Sequence, residues 1–194
     1  MTRRCSWRRK GRAAAELHRS ANEGKFASMK IATVWGIGPL WGSLAFGYGA
    51  VTTVISFSYP ILRVPDSIAL LSLVLGITMV AVGIPFYVLS AKAIFRGFAE
   101  GRLLTEGVYA ACRHPVYGSW IVFIIPGIEL ILRSWLGLTT VVFAYLLLRF
   151  LARSEEDYLL ERFGDSYRQY RARTPFVLPY GIFTTWLGRA TESL

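Results

Sequence analysis

The sequence predicts an all-α, polytopic integral membrane protein with four clear spans, a cytoplasmic cofactor-binding loop and C-terminal amphipathic helices. Composition and charge placement predict it. Of the 194 residues 54% are hydrophobic, yet the charges gather in blocks instead of spreading over a surface. Between the blocks lie apolar runs of about 20 residues, the length that crosses a bilayer core as a helix.

Residues 1–30 carry Arg3, Arg4, Arg8, Arg9, Lys10, Arg12, Arg19, Lys25 and Lys30 against Glu16 and Glu23. This is longer than a signal-peptide n-region and no small-residue cleavage pattern follows, so a basic cytoplasmic segment is expected. The uncharged run 31–59 contains Gly36, Gly38, Gly42, Gly47, Gly49 and Pro39. Small residues let helices approach closely in lipid, here or against a second copy. One tilted span fits the run; two half-spans hinged near Gly47 and Gly49 fit it also and would make five spans in all.

After Pro60 and Pro65, Asp66 and Ser67 suit the N-cap of a span from about residue 68 to 91, with Pro85 expected to kink it. Lys92, Arg96 and Arg102 mark its end. Residues 116–132 and 135–148 read as two further spans around Arg133 and Ser134, an antiparallel hairpin whose first arm Pro126 bends. From Arg149 the tail turns polar. Leu159, Leu160, Phe163, Tyr167 and Tyr170 recur at helical spacing, as in one or two amphipathic helices lying on the membrane face or the central loop. Residues 181–194 form a short tail.

Four spans put residues 1–30, the central loop and the tail on one side and leave Arg63, Asp66, Glu129 and Arg133 near the other, which satisfies the positive-inside rule with the basic side cytoplasmic. The net charge of +10 is assigned to this topology and to anionic headgroups, and nucleic acid is not expected as a partner. Cys5 and Cys112 are too few for a disulfide framework, and with only His18 and His114 beside them no metal site is expected.

The chemistry is expected in the stretch 101–118, which sets ionisable and aromatic groups at a membrane–water boundary. Pro115 fixes its own backbone and restricts that of His114, so Arg113, His114 and Tyr117 form a preorganised polar cluster at a helix start. The same residues also suit a plain interfacial anchor. Arg149 and Arg153 are i, i+4 with Glu155 and Glu156 within a turn. They read either as groups that hold a carboxylate and a cation or as a snorkelling basic end before a solvated acidic start.

Joined, the two blocks say more. Gly107, Val108, Tyr109, Arg113, His114, Pro115, Tyr117 and then Arg153, Glu155, Glu156, Leu159, Phe163, Gly164, Tyr167 and Tyr170 with a proline tail resemble the isoprenylcysteine carboxyl methyltransferase family over about residues 92–180. The pattern is similar to that of the family's short archaeal member. A looser version occurs in related membrane phospholipid methyltransferases. The resemblance implies methyl transfer from S-adenosyl-L-methionine, leaving S-adenosyl-L-homocysteine, to a lipophilic, prenylcysteine-like acceptor within the bilayer of a prokaryotic cell. It implies that Leu103, Leu104, Tyr109, Arg113, His114, Pro115, Val116, Tyr117 and Glu155 or Glu156 line the cofactor pocket. Either Arg149 or Arg153 would face the acceptor. Compared with eukaryotic members, the acidic run is shorter and N-terminal spans are fewer. On this reading residues 31–91 are N-terminal membrane helices and 92–180 the catalytic region. Methylation of a phospholipid amine and a non-catalytic scaffold are the other readings.

Overall fold

The computed structural model describes residues 37–100 and 102–177. The expectations for residues 1–30 and 181–194, including Cys5 and His18, lie outside the described residues, as do residues 31–36 and 178–180. The chain divides into two units, 1–39 and 40–194, and the architecture below is that of the second.

Among the described residues the protein is all helical: α1 (Gly38–Ser58), α2 (Ala69–Glu100), α3 (Val108–Ala111), α4 (Pro115–Ile131), α5 (Thr139–Phe163) and α6 (Asp165–Arg173), with 3-10 turns at Pro60–Leu62 and Asp66–Ile68. Gly38–Ser58 and Asp66–Gly97 are long and apolar enough to cross a membrane, while Pro115–Ile131 is apolar but shorter. Their outward faces carry exposed Leu44, Val51, Val54, Leu71, Val74 and Leu89, an apolar surface suited to lipid contact.

Helix α1 runs unbroken through Gly47 and Gly49, so no hinge divides it. Gly49 instead faces Glu129 and Thr140, and a side-chain carbon there would touch both within 3.4 Å. Polar contacts tie α1 to the hairpin: the Thr53 hydroxyl donates to Glu129 Oε2 (2.7 Å), Ser134 Oγ donates to Ser56 Oγ (2.8 Å), and the Trp41 indole donates to the Ala144 carbonyl (2.9 Å).

Helix α2 buries a stripe of small residues, Ser72, Gly76, Gly83, Ser90 and Gly97. Lipid tails are as apolar as leucine, so close backbone approach replaces hydrophobic drive. A carbon added at Gly76 would sit 2.6 Å from the Gly127 carbonyl oxygen, and one at Gly127 would sit 2.8 Å from that of Gly76. The two helices therefore meet backbone to backbone. The helix continues through Pro85. In α4 a π-helical turn, Trp120–Ile124, precedes Pro126 and widens the helix where the proline ring displaces an ordinary turn.

The hairpin turn is a Schellman motif: the Ser134 amide donates to the Glu129 carbonyl (2.9 Å) and that of Arg133 to Leu130 (3.1 Å). Arg133 occupies its left-handed position at φ 59°, where glycine is usual. Its guanidinium is held by the Val64 carbonyl (2.6 Å) and Asp66 Oδ1 (2.5 Å). That ion pair corrects the expected cap. Asp66 opens a 3-10 turn with no side-chain cap, because its carboxylate faces Arg133 across the loop.

The expected boundary at Arg149 is also corrected. Helix α5 has neither Gly nor Pro, and its helix-favouring Leu, Ala, Arg and Glu carry it from Thr139 through Arg149, Arg153 and Glu156 to Phe163. Apolar arm and first tail helix are one rod. Thr140, Ala144, Leu148, Ala152 and Glu156 recur every fourth residue as its buried face. Gly164, at φ 53°, ends it and turns the chain into α6.

Candidate active site

Where the apolar helices end, three segments converge: the loop before α4, the charged half of α5, and α6 with the residues that follow it. Gly107, at φ 60°, starts the single turn α3, and the chain then runs extended through Cys112 toward Pro115. Residues 174–177 return alongside as a strap. The Arg113 amide donates to the Pro175 carbonyl (2.9 Å) and the His114 amide to that of Phe176 (3.1 Å). The Tyr170 hydroxyl donates to the Tyr109 carbonyl (2.7 Å), so α6 is fastened to the same loop.

Glu156 is the centre of charge. Its Oε1 accepts from Arg113 Nη1 (2.5 Å) and lies 3.5 Å from His114 Nε2, while Oε2 faces Arg171 Nε at 3.7 Å. Burial pushes the Glu156 carboxyl up, but His114, Arg113 and Arg171 outweigh it and hold it below its usual range. Arg113 Nε, His114 Nε2 and Tyr167 Oη are buried without hydrogen-bond partners around this carboxylate. Burial lifts the phenols of Tyr109 and Tyr170 above their ordinary range and the Cys112 thiol to about 11. These groups therefore stay protonated at neutral pH.

Aromatic rings border the cluster. The Tyr117 ring stands edge-on to Trp41 of α1 at 5.2 Å and 6.3 Å from the His114 ring. The Phe176 ring lies 4.6 Å from that of His114, with the guanidinium of Arg149 4.8 Å and that of Arg113 5.5 Å from its centroid. Of the residues expected here, Tyr109, Arg113, His114, Pro115, Tyr117, Arg149 and Glu156 do gather around the loop and strap. Val116, which follows Pro115, and Leu103 are half-buried, and Leu104 is seated on α2 where a carbon at Gly97 would lie 2.5 Å from its Cγ. Arg153 is exposed and stands outside the charge cluster, and Glu155 is half-buried one residue before the carboxylate that joins it. Sequence reasoning missed Arg171 and Phe176. Arg171 lies one turn beyond Tyr167, whose buried face was legible, but Phe176 reaches the site only by the return of the strap.

Residues 69–161 match the profile of the isoprenylcysteine carboxyl methyltransferase (ICMT) family. Over that stretch the chain is similar to the family. The curated relatives that it resembles include the protein-S-isoprenylcysteine O-methyltransferase of Schizosaccharomyces pombe, 36% identical over 80 residues (40% of this chain, 33% of the relative). That of Mus musculus is 38% identical over 81 residues (40% and 28%), and protein-S-isoprenylcysteine O-methyltransferase B of Arabidopsis thaliana is 34% identical over 82 residues (41% and 40%). The aligned stretch spans about a third of the length of these relatives. With the apolar helices, this similarity points to a membrane protein. The family match takes in Tyr109, Arg113, His114, Tyr117, Arg149 and Glu156, whereas Arg171 and Phe176 lie beyond it.

Proposed function

We propose that the chain is an integral membrane methyltransferase that moves a methyl group from S-adenosyl-L-methionine to the carboxylate of an isoprenylcysteine-like lipophilic acceptor. The observation that carries this reading is the buried Arg113–His114–Glu156 cluster, roofed by the strap at the foot of the apolar helices. A cofactor bearing an ammonium, a carboxylate and ribose hydroxyls suits that donor and acceptor set. The unpartnered Arg113 Nε, His114 Nε2 and Tyr167 Oη are polar capacity of the kind such a ligand uses.

On this reading Glu156 receives the ammonium or the ribose hydroxyls, Arg113 and His114 the carboxylate, and Leu103, Leu104, Tyr109, Pro115, Val116, Tyr117 and Glu155 line the remainder. When bound, the cofactor supplies an electrophilic methyl carbon on a sulfonium, which the acceptor oxygen takes by in-line displacement to leave S-adenosyl-L-homocysteine. An acceptor carboxylate is already deprotonated at neutral pH, so the chain needs no general base and works by alignment and desolvation. Arg149 rather than Arg153 steers it, being the arginine that reaches the aromatic wall of the cluster. Cys112 and the two lifted phenols, protonated, do not compete as nucleophiles.

We place α1, α2, α4 and the apolar half of α5 as four spans, with residues 1–30, the site and the tail in the cytoplasm. The positive-inside rule supports this, since Arg63, Asp66 and Arg133 stand at the opposite end. The reading is tested by calorimetric titration of the detergent-purified chain with S-adenosyl-L-homocysteine. Binding that His114→Ala weakens is expected; no binding by a folded sample refutes it.

A further inference from the structure

Arg149 sits at the lipid-side end of the charged half of α5, exposed, with Leu146 and Phe150 exposed on either side of it. Among the described residues no carboxylate ion-pairs with it and no side-chain hydrogen bond holds it; the Phe176 ring, 4.8 Å from its guanidinium carbon, is what it meets. Arg113 differs, since its charge is answered by Glu156. A cation next to lipid without a counter-charge is matched to an anionic ligand, and a long arginine side chain presents such a ligand a fixed fork only if something holds it.

Phe176 is itself fixed. Its carbonyl accepts from the His114 amide, its ring packs on the His114 ring and edge-on to Tyr145 at 6.4 Å, and Tyr145 lies one turn before Arg149 on the same helix. The ring thus links the strap, the loop and α5, with one guanidinium already paired and the other not.

We propose that Phe176 is a positioning residue for the acceptor: its π face holds the Arg149 guanidinium where a lipid-borne carboxylate meets it. The proposal rests on the methyltransferase reading for the identity of the acceptor, and it requires a π face rather than mere bulk. Leucine fills space without a quadrupole, whereas tryptophan offers a stronger one.

The test is a binding comparison on the full chain in detergent, with an S-farnesylated cysteine bearing a free carboxylate and with its methyl ester. The wild type prefers the acid by roughly tenfold, the scale of a desolvated charge contact. Phe176→Leu and Arg149→Ala each abolish that preference, the double variant loses nothing further, and Phe176→Trp retains it. The proposal is overturned if Leu and Trp behave alike, if the two losses multiply, or if the wild type binds acid and ester equally. S-adenosyl-L-homocysteine affinity, read in parallel, stays within about twofold of wild type in the Leu variant; an equal fall there means that the ring only packs the loop and also overturns the proposal. Acid preference in a protein that does not bind S-adenosyl-L-homocysteine refutes the methyltransferase reading and leaves the Phe176–Arg149 pairing standing. Cofactor binding without acid preference does the reverse.

Discussion

Arg113 and Glu156, 43 residues apart in sequence, share a 2.5 Å charge-assisted hydrogen bond with about nine-tenths of each side chain buried. Loop and helix are locked by it. Removing one partner strands the other charge in a poorly solvated place, which costs more than the pair itself contributes.

Glu156→Gln is therefore expected to lower stability by about 3 kcal/mol, with S-adenosyl-L-homocysteine affinity falling as well. Thermal unfolding in detergent and calorimetry read the two effects. Glu155→Gln, at the half-buried neighbour, should move stability by less than about 1 kcal/mol.

The same carboxylate sets an acid limb. Its folded pKa lies below the ordinary 4.5, so the stability it contributes is fully present above about pH 4.5 and is lost as pH falls through the folded value. Wild type and Glu156→Gln should thus differ at pH 7 and converge as the pH drops below 4.5. A constant gap across that range would contradict the assignment.

Two glycines give opposite signs. Gly76→Ala drives a carbon against the Gly127 carbonyl and should destabilise by about 2 kcal/mol through overpacking. At Gly47 nothing lies within 4 Å, so Gly47→Ala should be neutral or stabilise by up to about 1 kcal/mol. Unfolding midpoints measured side by side check the pair.

At Arg133 the backbone and side chain pull apart. Both Arg133→Ala and Arg133→Gly lose the bonds to Val64 and Asp66, but only glycine relaxes the φ of 59°. The glycine variant should be the more stable of the two by about 1 kcal/mol, read from the same unfolding curves.

How much was legible depends on whether the cause was local. Tyr109, Arg113, His114, Tyr117 and Glu156 could be joined from sequence because the loop and the helix each carry a motif, and the structure sets them together. The Asp66 cap failed because Arg133, distant in sequence, competes for the same carboxylate. The continuity of α5 was masked by its charges at Arg149, Arg153, Glu155 and Glu156. Charge is a signal of solvent and not of helix end, and no breaker stands there. Gly76, Gly83, Ser90 and Gly97 recur every seventh residue, a regularity that was readable but was overshadowed by the glycines of the first run. Phe176 carries no local sign of its role, since its partners come from chain reversal.

The unbroken α5 acts as a ruler. At 1.5 Å per residue, exposed Phe150 and buried Glu156 are about 9 Å apart along one stiff axis. Under the proposed topology, in which the apolar half of α5 is a span, depth of insertion and depth of the carboxylate are a single quantity, and the proposed acceptor carboxyl would be measured against the site by the same rod.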